Sequence, residues 1–337
     1  MTINDKKYKQ VTTAIGVSLI FLVVFIQLIL FTVPTLLQSL FEQFGTKVSY
    51  TVSMLSQIIL YLASFMIPAF ILRKMLKKRG LMQPMRLEFK MTPDALWLIP
   101  AGIAVCFAGS VVNSLIMNLF IPPDVMNSLM ETTEPYRPYQ IVLQLIATAL
   151  VPAVCEEFLF RGAVASSLMP FGKGLAIFGS SVLFSFMHEN PYQLFYTFIA
   201  GLFLGYLYVK TGSILCPTIL HFCNNATSVL MDVCNTNLGE ERGMVYYYII
   251  TVVVYALGAV GVVVYFLLEK KSKKDRFEGG SFGRIIEAEN DYAQLPVTKG
   301  KKLRYFLTPA MIVYCALAIV NTLSTAIMLW LMSIIPL

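Results

Sequence analysis

The chain has 337 residues, 57% of them hydrophobic and only 13% charged, with a net charge of +7. A soluble domain carries roughly 25% charged residues, and a water-solvated fold of this size cannot hide so much apolar surface. The balance excludes disorder and a disulfide scaffold and points to an all-α, polytopic helical bundle in a membrane.

A span needs about 20 mostly apolar residues. In chain order the sequence predicts about nine: 13–36, 50–72, 95–121, 139–168, 174–190, 193–209, 213–233, 244–268 and 306–335. The fifth to seventh are short and broken by Gly, Pro and polar residues, so eight to nine is the expected total. Lys6, Lys7 and Lys9 precede the first span as in a signal peptide. Its apolar run exceeds an h-region and has no A-x-A-like cleavage site, so an uncleaved anchor is expected. The expected organisation is N-terminal helices over 1–138, a core over 139–235 and a further span at 244–268. A polar cytoplasmic loop at 269–305 and a final helix within 306–337 complete it.

Charge predicts the orientation. With a cytoplasmic N-terminus and alternating spans, 22 Lys and Arg fall on the cytoplasmic side. Lys47, Arg137 and Arg242 fall on the other, and Arg161 lies within a span. Such a split is the positive-inside pattern. The basic balance thus reflects topology and contact with the lipid bilayer, with no nucleic acid partner expected. A bacterial plasma membrane is the expected location, since eukaryotic retention signals are missing from the sequence. Cys106, Cys155, Cys216, Cys223, Cys234 and Cys315 have no C-x-x-C spacing and read as small buried hydrophobes.

Ionisable groups inside spans are costly and ask for a reason. The fourth span contains Glu156, Glu157 and Arg161, the fifth ends on Phe184 to Asn190, and the seventh carries His221, Asn224 and Asn225. Both histidines of the chain, His188 and His221, lie in these segments. Glu157 and Arg161 share a helix face and can pair, whereas Glu156 is turned about 100° away. His221 and Asn225 project together, and Phe184 sits one turn before His188. A spare carboxylate, two imidazoles and an amide on three helices suit water activation and oxyanion stabilisation, with Glu or His as base.

Glu156-Glu157-x-x-x-Arg161, Phe184-x-x-x-His188 and His221-x-x-x-Asn225 resemble the three motifs of the CAAX protease and bacteriocin-processing (CPBP, or Abi) family. The run from Gly201 to Ser213 resembles that family's connection between its last two motifs, and the resemblance covers about residues 140–230. The family includes the type II CAAX prenyl endopeptidase, an all-helical intramembrane glutamic protease. The resemblance implies Glu156 as the base that activates water, assisted by His188. It implies His221 and Asn225 as the oxyanion donors, with Glu157 and Arg161 organising the site.

The expected partner is a membrane-associated peptide or protein substrate, and no cofactor is expected. One alternative is a zinc protease with His188, His221 and Glu156 as ligands. His188-Glu189 begins like a zincin motif, but Tyr192 stands where the second histidine is needed. A non-catalytic immunity or scaffold protein retaining the motifs is another alternative. A proton-coupled transporter is disfavoured because the sequence shows no internal repeat.

Overall fold

The computed structural model describes residues 1–30, 32–87, 93–120, 134–277 and 294–334. All regular structure among them is helical, as lipid demands of any segment that must satisfy its own backbone. The elements are α1 (Ile3–Phe25), α2 (Thr32–Phe41), α3 (Thr46–Lys78), α4 (Pro93–Met117) and α5 (Pro138–Phe171). Beyond them come α6 (Lys173–Phe186), α7 (Pro191–Thr211), α8 (Leu215–Leu238), α9 (Glu240–Phe277), α10 (Lys302–Phe306) and α11 (Pro309–Ile334).

Among the described residues seven helical segments are long and apolar enough to cross a membrane, the first of them running from Ile3 to Phe44 through α1 and α2. Two expected spans differ from these seven, although both are helices. Over 174–190 stands α6, an apolar helix of 14 residues. Over 213–233 stands α8, whose His, Asn, Ser and Thr residues dilute its hydropathy because part of its surface faces the protein interior. The polar stretch beginning at residue 269 is helical at first, since α9 runs on to Phe277. Lys, Glu and Arg favour helix and prolong its register. Residues 278–293 of that expected loop, like residues 31, 121 and 335 of three expected spans, lie outside the described residues.

Two apolar clusters organise the bundle. One gathers Leu19, Phe65, Leu72, Phe160, Leu183 and Tyr314 from α1, α3, α5, α6 and α11. The other gathers Leu98, Cys106, Leu207, Leu220 and Tyr265 from α4, α7, α8 and α9. Helix α11 lies so close on α1 that a Cβ at Gly16 would come within 2.6 Å of the Met311 nitrogen. The outer faces of α9 and α11 expose Val252, Val263, Ile312 and Val320, a surface suited to lipid rather than water.

The basic segments meet at one end of the bundle, here termed the basic pole. Arg79 donates to the Gln10 carbonyl at 3.1 Å, Lys302 to the Phe171 carbonyl at 3.3 Å, and the Ile214 amide to the Arg86 carbonyl at 3.1 Å. Asp5 accepts both the Thr298 amide and its hydroxyl, at 2.9 and 2.7 Å. At the far pole Tyr136 donates to Asp232, and its carbonyl accepts the Asn237 amide.

Candidate active site

The motif-bearing stretch of α5 is not a uniform α-helix. Pro152 lacks the amide that would bond the carbonyl of Thr148, and its ring crowds that carbonyl. The preceding residues, Leu145–Leu150, widen into a π-helix, and Phe158–Ala165 does so again after the α-helical Val151–Glu157. Widened turns of this kind concentrate at functional sites. Here they sit on either side of the two glutamates.

Glu157 and Arg161 are both fully buried, and Arg161 Nη1 lies 2.9 Å from Glu157 Oε1. Arg161 Nη2 donates to the Gly201 carbonyl at 3.1 Å. A Cβ on Gly201 would meet Ser181 Cα at 3.1 Å and the Phe184 ring at 3.3 Å, so any larger residue would push α7 and α6 apart by a few tenths of an ångström. The Gly201-x-x-x-Gly205 pattern thus serves helix packing, with Gly205 facing Ile177.

Helix α8 brings His221 onto the same carboxylate: His221 Nδ1 stands 2.9 Å from Glu157 Oε1. A carboxylate oxygen only accepts, so Nδ1 carries the proton. The other ring nitrogen, Nε2, then faces Glu156 Oε2 at 3.8 Å, too far for a direct hydrogen bond. Glu156 is only 4% exposed. Its Oε1 accepts the hydroxyl of Tyr61 from the middle of α3, and its Oε2 is buried without a hydrogen-bond partner.

His188 follows the last turn of α6, and its Nδ1 lies 2.9 Å from the Phe184 carbonyl. A carbonyl also only accepts, so Nδ1–H is fixed and Nε2 is left with a lone pair. The Phe184 ring is the common wall of the site. It meets His188 edge-on at 4.9 Å and His221 at 5.9 Å, and the Arg161 guanidinium lies over it at 4.6 Å. Asn225 lines the same cavity; its Oδ1 accepts from Asn224 at 3.2 Å, leaving its own amide hydrogens for the cavity. Asn224 also donates to the Tyr196 hydroxyl.

These groups line a cavity of about 380 Å³, within the usual size of small-ligand sites. Glu156, His188, His221 and Asn225 all face it, while Glu157 and Arg161 lie behind the wall. A second cavity of about 380 Å³ adjoins it across Cys106, Tyr196, Asn224 and Ser228, between α4, α8 and α9. Among the described residues no three His, Cys, Asp or Glu side chains are grouped so as to hold a metal ion. The donors His188, His221 and Glu156 each face the cavity without forming such a set.

Four contributors escaped the sequence reading. Tyr61 and Gln57 are polar residues in the middle of an apolar span, which was their available signal. Tyr196 gave none, being one of several aromatic residues in its helix. The fourth is Glu189, the one described non-glycine residue with positive φ, at 50°. Two residues past Met187, the C-cap of α6, its amide donates to the Phe186 carbonyl at 3.3 Å, in a conformation usually left to glycine. Gln27, in the π-helical stretch Ile26–Leu30 that continues α1, donates to its carboxylate, Asn321 of α11 also bonds it, and Thr325 of α11 donates to its carbonyl at 3.5 Å. Six residues earlier, Tyr314 of α11 donates to the Leu183 carbonyl at 2.6 Å. The His188 segment is therefore tethered on both sides. Glu189→Gly relieves a backbone cost of roughly 1–2 kcal/mol but deletes these buried side-chain bonds. The expected net result is a lower melting temperature, read by thiol-reactive dye during thermal unfolding in detergent; an unchanged or higher one would leave Glu189 as a mere turn residue.

Residues 138–227 match the family described as Type II CAAX prenyl endopeptidase Rce1-like. No curated protein and no solved structure matches the chain. The matched segment contains all three motifs and runs from the start of α5 into α8. It supports a CAAX/CPBP-family protease, an intramembrane endopeptidase of the general CAAX type in an integral membrane protein.

Proposed function

We propose that this chain, with its CAAX-protease-like segment, hydrolyses peptide bonds of membrane-associated peptides or proteins with a water activated by Glu156. The observation that carries the reading is the unequal state of the adjacent glutamates. Glu157 is committed to Arg161 and His221, whereas Glu156 keeps Oε2 without a partner at the cavity wall. A carboxylate so placed can accept a proton from water. The His188 Nε2 lone pair can orient that water, and the resulting hydroxide attacks the scissile carbonyl.

The oxyanion of the tetrahedral intermediate then needs donors. The Asn225 amide supplies one, and His221 Nε2 supplies another in the imidazolium form, its Nδ1–H being held by Glu157. The proton taken by Glu156 passes to the leaving amine as the carbon–nitrogen bond breaks. The products are a carboxylic acid and an amine, and the acid's proton passes to the amine, so that they leave as carboxylate and ammonium. No metal takes part in this sequence. The charge pattern favours an orientation with the N-terminus in the cytoplasm.

The test is to incubate purified protein, reconstituted in lipid, with a library of membrane-anchored peptides, prenylated and unprenylated. Cleavage products should survive exhaustive chelation, with metal analysis finding far less than one zinc per chain. About one zinc per chain, with activity lost on removal and regained on return, would establish the zinc enzyme instead. Tight binding of peptides without any cleavage would establish the scaffold.

A further inference from the structure

The cavity has a direction. Its buried floor is formed by Cys106, Leu204 and Leu220, which are 1%, 2% and 0% exposed. Its other lining residues include Gln57, Thr148, Gln193 and Ser228, of which Gln193 and Ser228 are exposed and the other two partly so. The course of each helix decides which pole they face. Helices α3, α5 and α7 run from the far pole to the basic pole, so Gln57, Thr148 and Gln193 lie on the far-pole side of Tyr61, Glu156 and Tyr196. Helix α8 runs the other way, so Ser228, following His221, lies on the far-pole side too. Four helices agree. Towards the basic pole the floor is backed by Met85 against Gly162 and by the bond from Ile214 to the Arg86 carbonyl.

We infer that the site receives its substrate from the far pole, which the basic residues make the extracytoplasmic side. The substrate class is an extended, uncharged stretch of peptide exposed at the outer face of the membrane; this rests on the endopeptidase reading. The mouth offers amides and hydroxyls from Gln57, Thr148, Gln193 and Ser228, and none of these is ionisable. Such groups pair with the N–H and C=O of an extended main chain, whereas none of these four side chains offers a counter-charge to an entering Lys, Arg, Asp or Glu. Cytoplasmic peptides are separated from the glutamates by the packed floor and the clustered basic segments.

The experiment reads access independently of catalysis. Gln57→Cys, Ser228→Cys and Lys301→Cys are each placed in a chain whose six native cysteines are replaced by alanine. A membrane-impermeant maleimide is applied to right-side-out and inside-out vesicles. The expected result is labelling of both mouth positions at least about tenfold faster in right-side-out vesicles, with the opposite bias at Lys301. Mouth cysteines that label faster in inside-out vesicles, or from neither side, would overturn the inference.

In parallel, lipid-anchored uncharged peptides are presented to the outer face only, against the same peptides carrying two lysines beside the scissile bond. Preferred cleavage of the uncharged set from outside supports the assignment, and cleavage confined to peptides on the inner face overturns it. Outward labelling with no cleavage of any peptide would sink the endopeptidase reading while leaving the position of the mouth intact.

Discussion

Glu156→Gln is expected to lower the cleavage rate at least about 100-fold, the usual contribution of a positioned general base or more. The substitution conserves shape. The Tyr61 hydroxyl can still donate to the amide oxygen where it now meets Oε1. Folding and peptide binding should therefore persist, so the loss should fall on kcat with KM little changed. Single-turnover cleavage of a lipid-anchored peptide, with binding measured on the same preparation, checks both halves. Wild-type turnover in Glu156→Gln would remove Glu156 from the chemistry altogether.

Arg161→Ala has a different signature. It leaves the fully buried Glu157 with one cationic partner fewer, strips the Gly201 carbonyl of its donor and empties the space above the Phe184 ring. Breaking a buried pair by removing one member costs about 3–5 kcal/mol, so the protein should unfold at markedly lower temperature or denaturant concentration. Lysine is not a substitute, because one ammonium cannot reproduce the planar fork that serves Glu157 and Gly201 together. Replacing both members, as Glu157→Leu with Arg161→Met, should recover much of the stability but not the activity, since His221 loses the acceptor of its Nδ1–H. Unfolding curves for the single and double variants separate these outcomes. Equal destabilisation in both would mean that the pair is not the source of the loss.

The contacts that were legible in the sequence are the local ones. Glu157 with Arg161 follows from residues four apart within one helix, and Phe184 with His188 from the same spacing across a helix end, which periodicity indicates without knowledge of the fold. What periodicity cannot show is which helices become neighbours. Tyr61 reaches Glu156 across 95 positions, and Phe184 walls three functional side chains from α5, α6 and α8 at once. Similarly, His221 reads in sequence as a partner of Asn225, but its Nδ1 is taken by Glu157. The span count differs for a related reason. Hydropathy assumes that a spanning helix meets lipid, and α8 instead turns His221, Asn224 and Asn225 toward an internal cavity.

The tether on Glu189 joins parts of the chain that a ribosome makes far apart in time. Gln27 belongs to an early helix, whereas Tyr314, Asn321 and Thr325 belong to α11, which follows α6 by well over a third of the chain. When the segment 138–227 has entered the bilayer, every motif is present, yet the His188 turn still lacks its support from α11. A growing chain in that state holds its histidine on a left-handed glutamate with only the Gln27 anchor in place. The arrangement delays a well-ordered site until α11 has inserted and docked on α1, so a half-made chain passing through the translocon gains little power to cut the peptides around it.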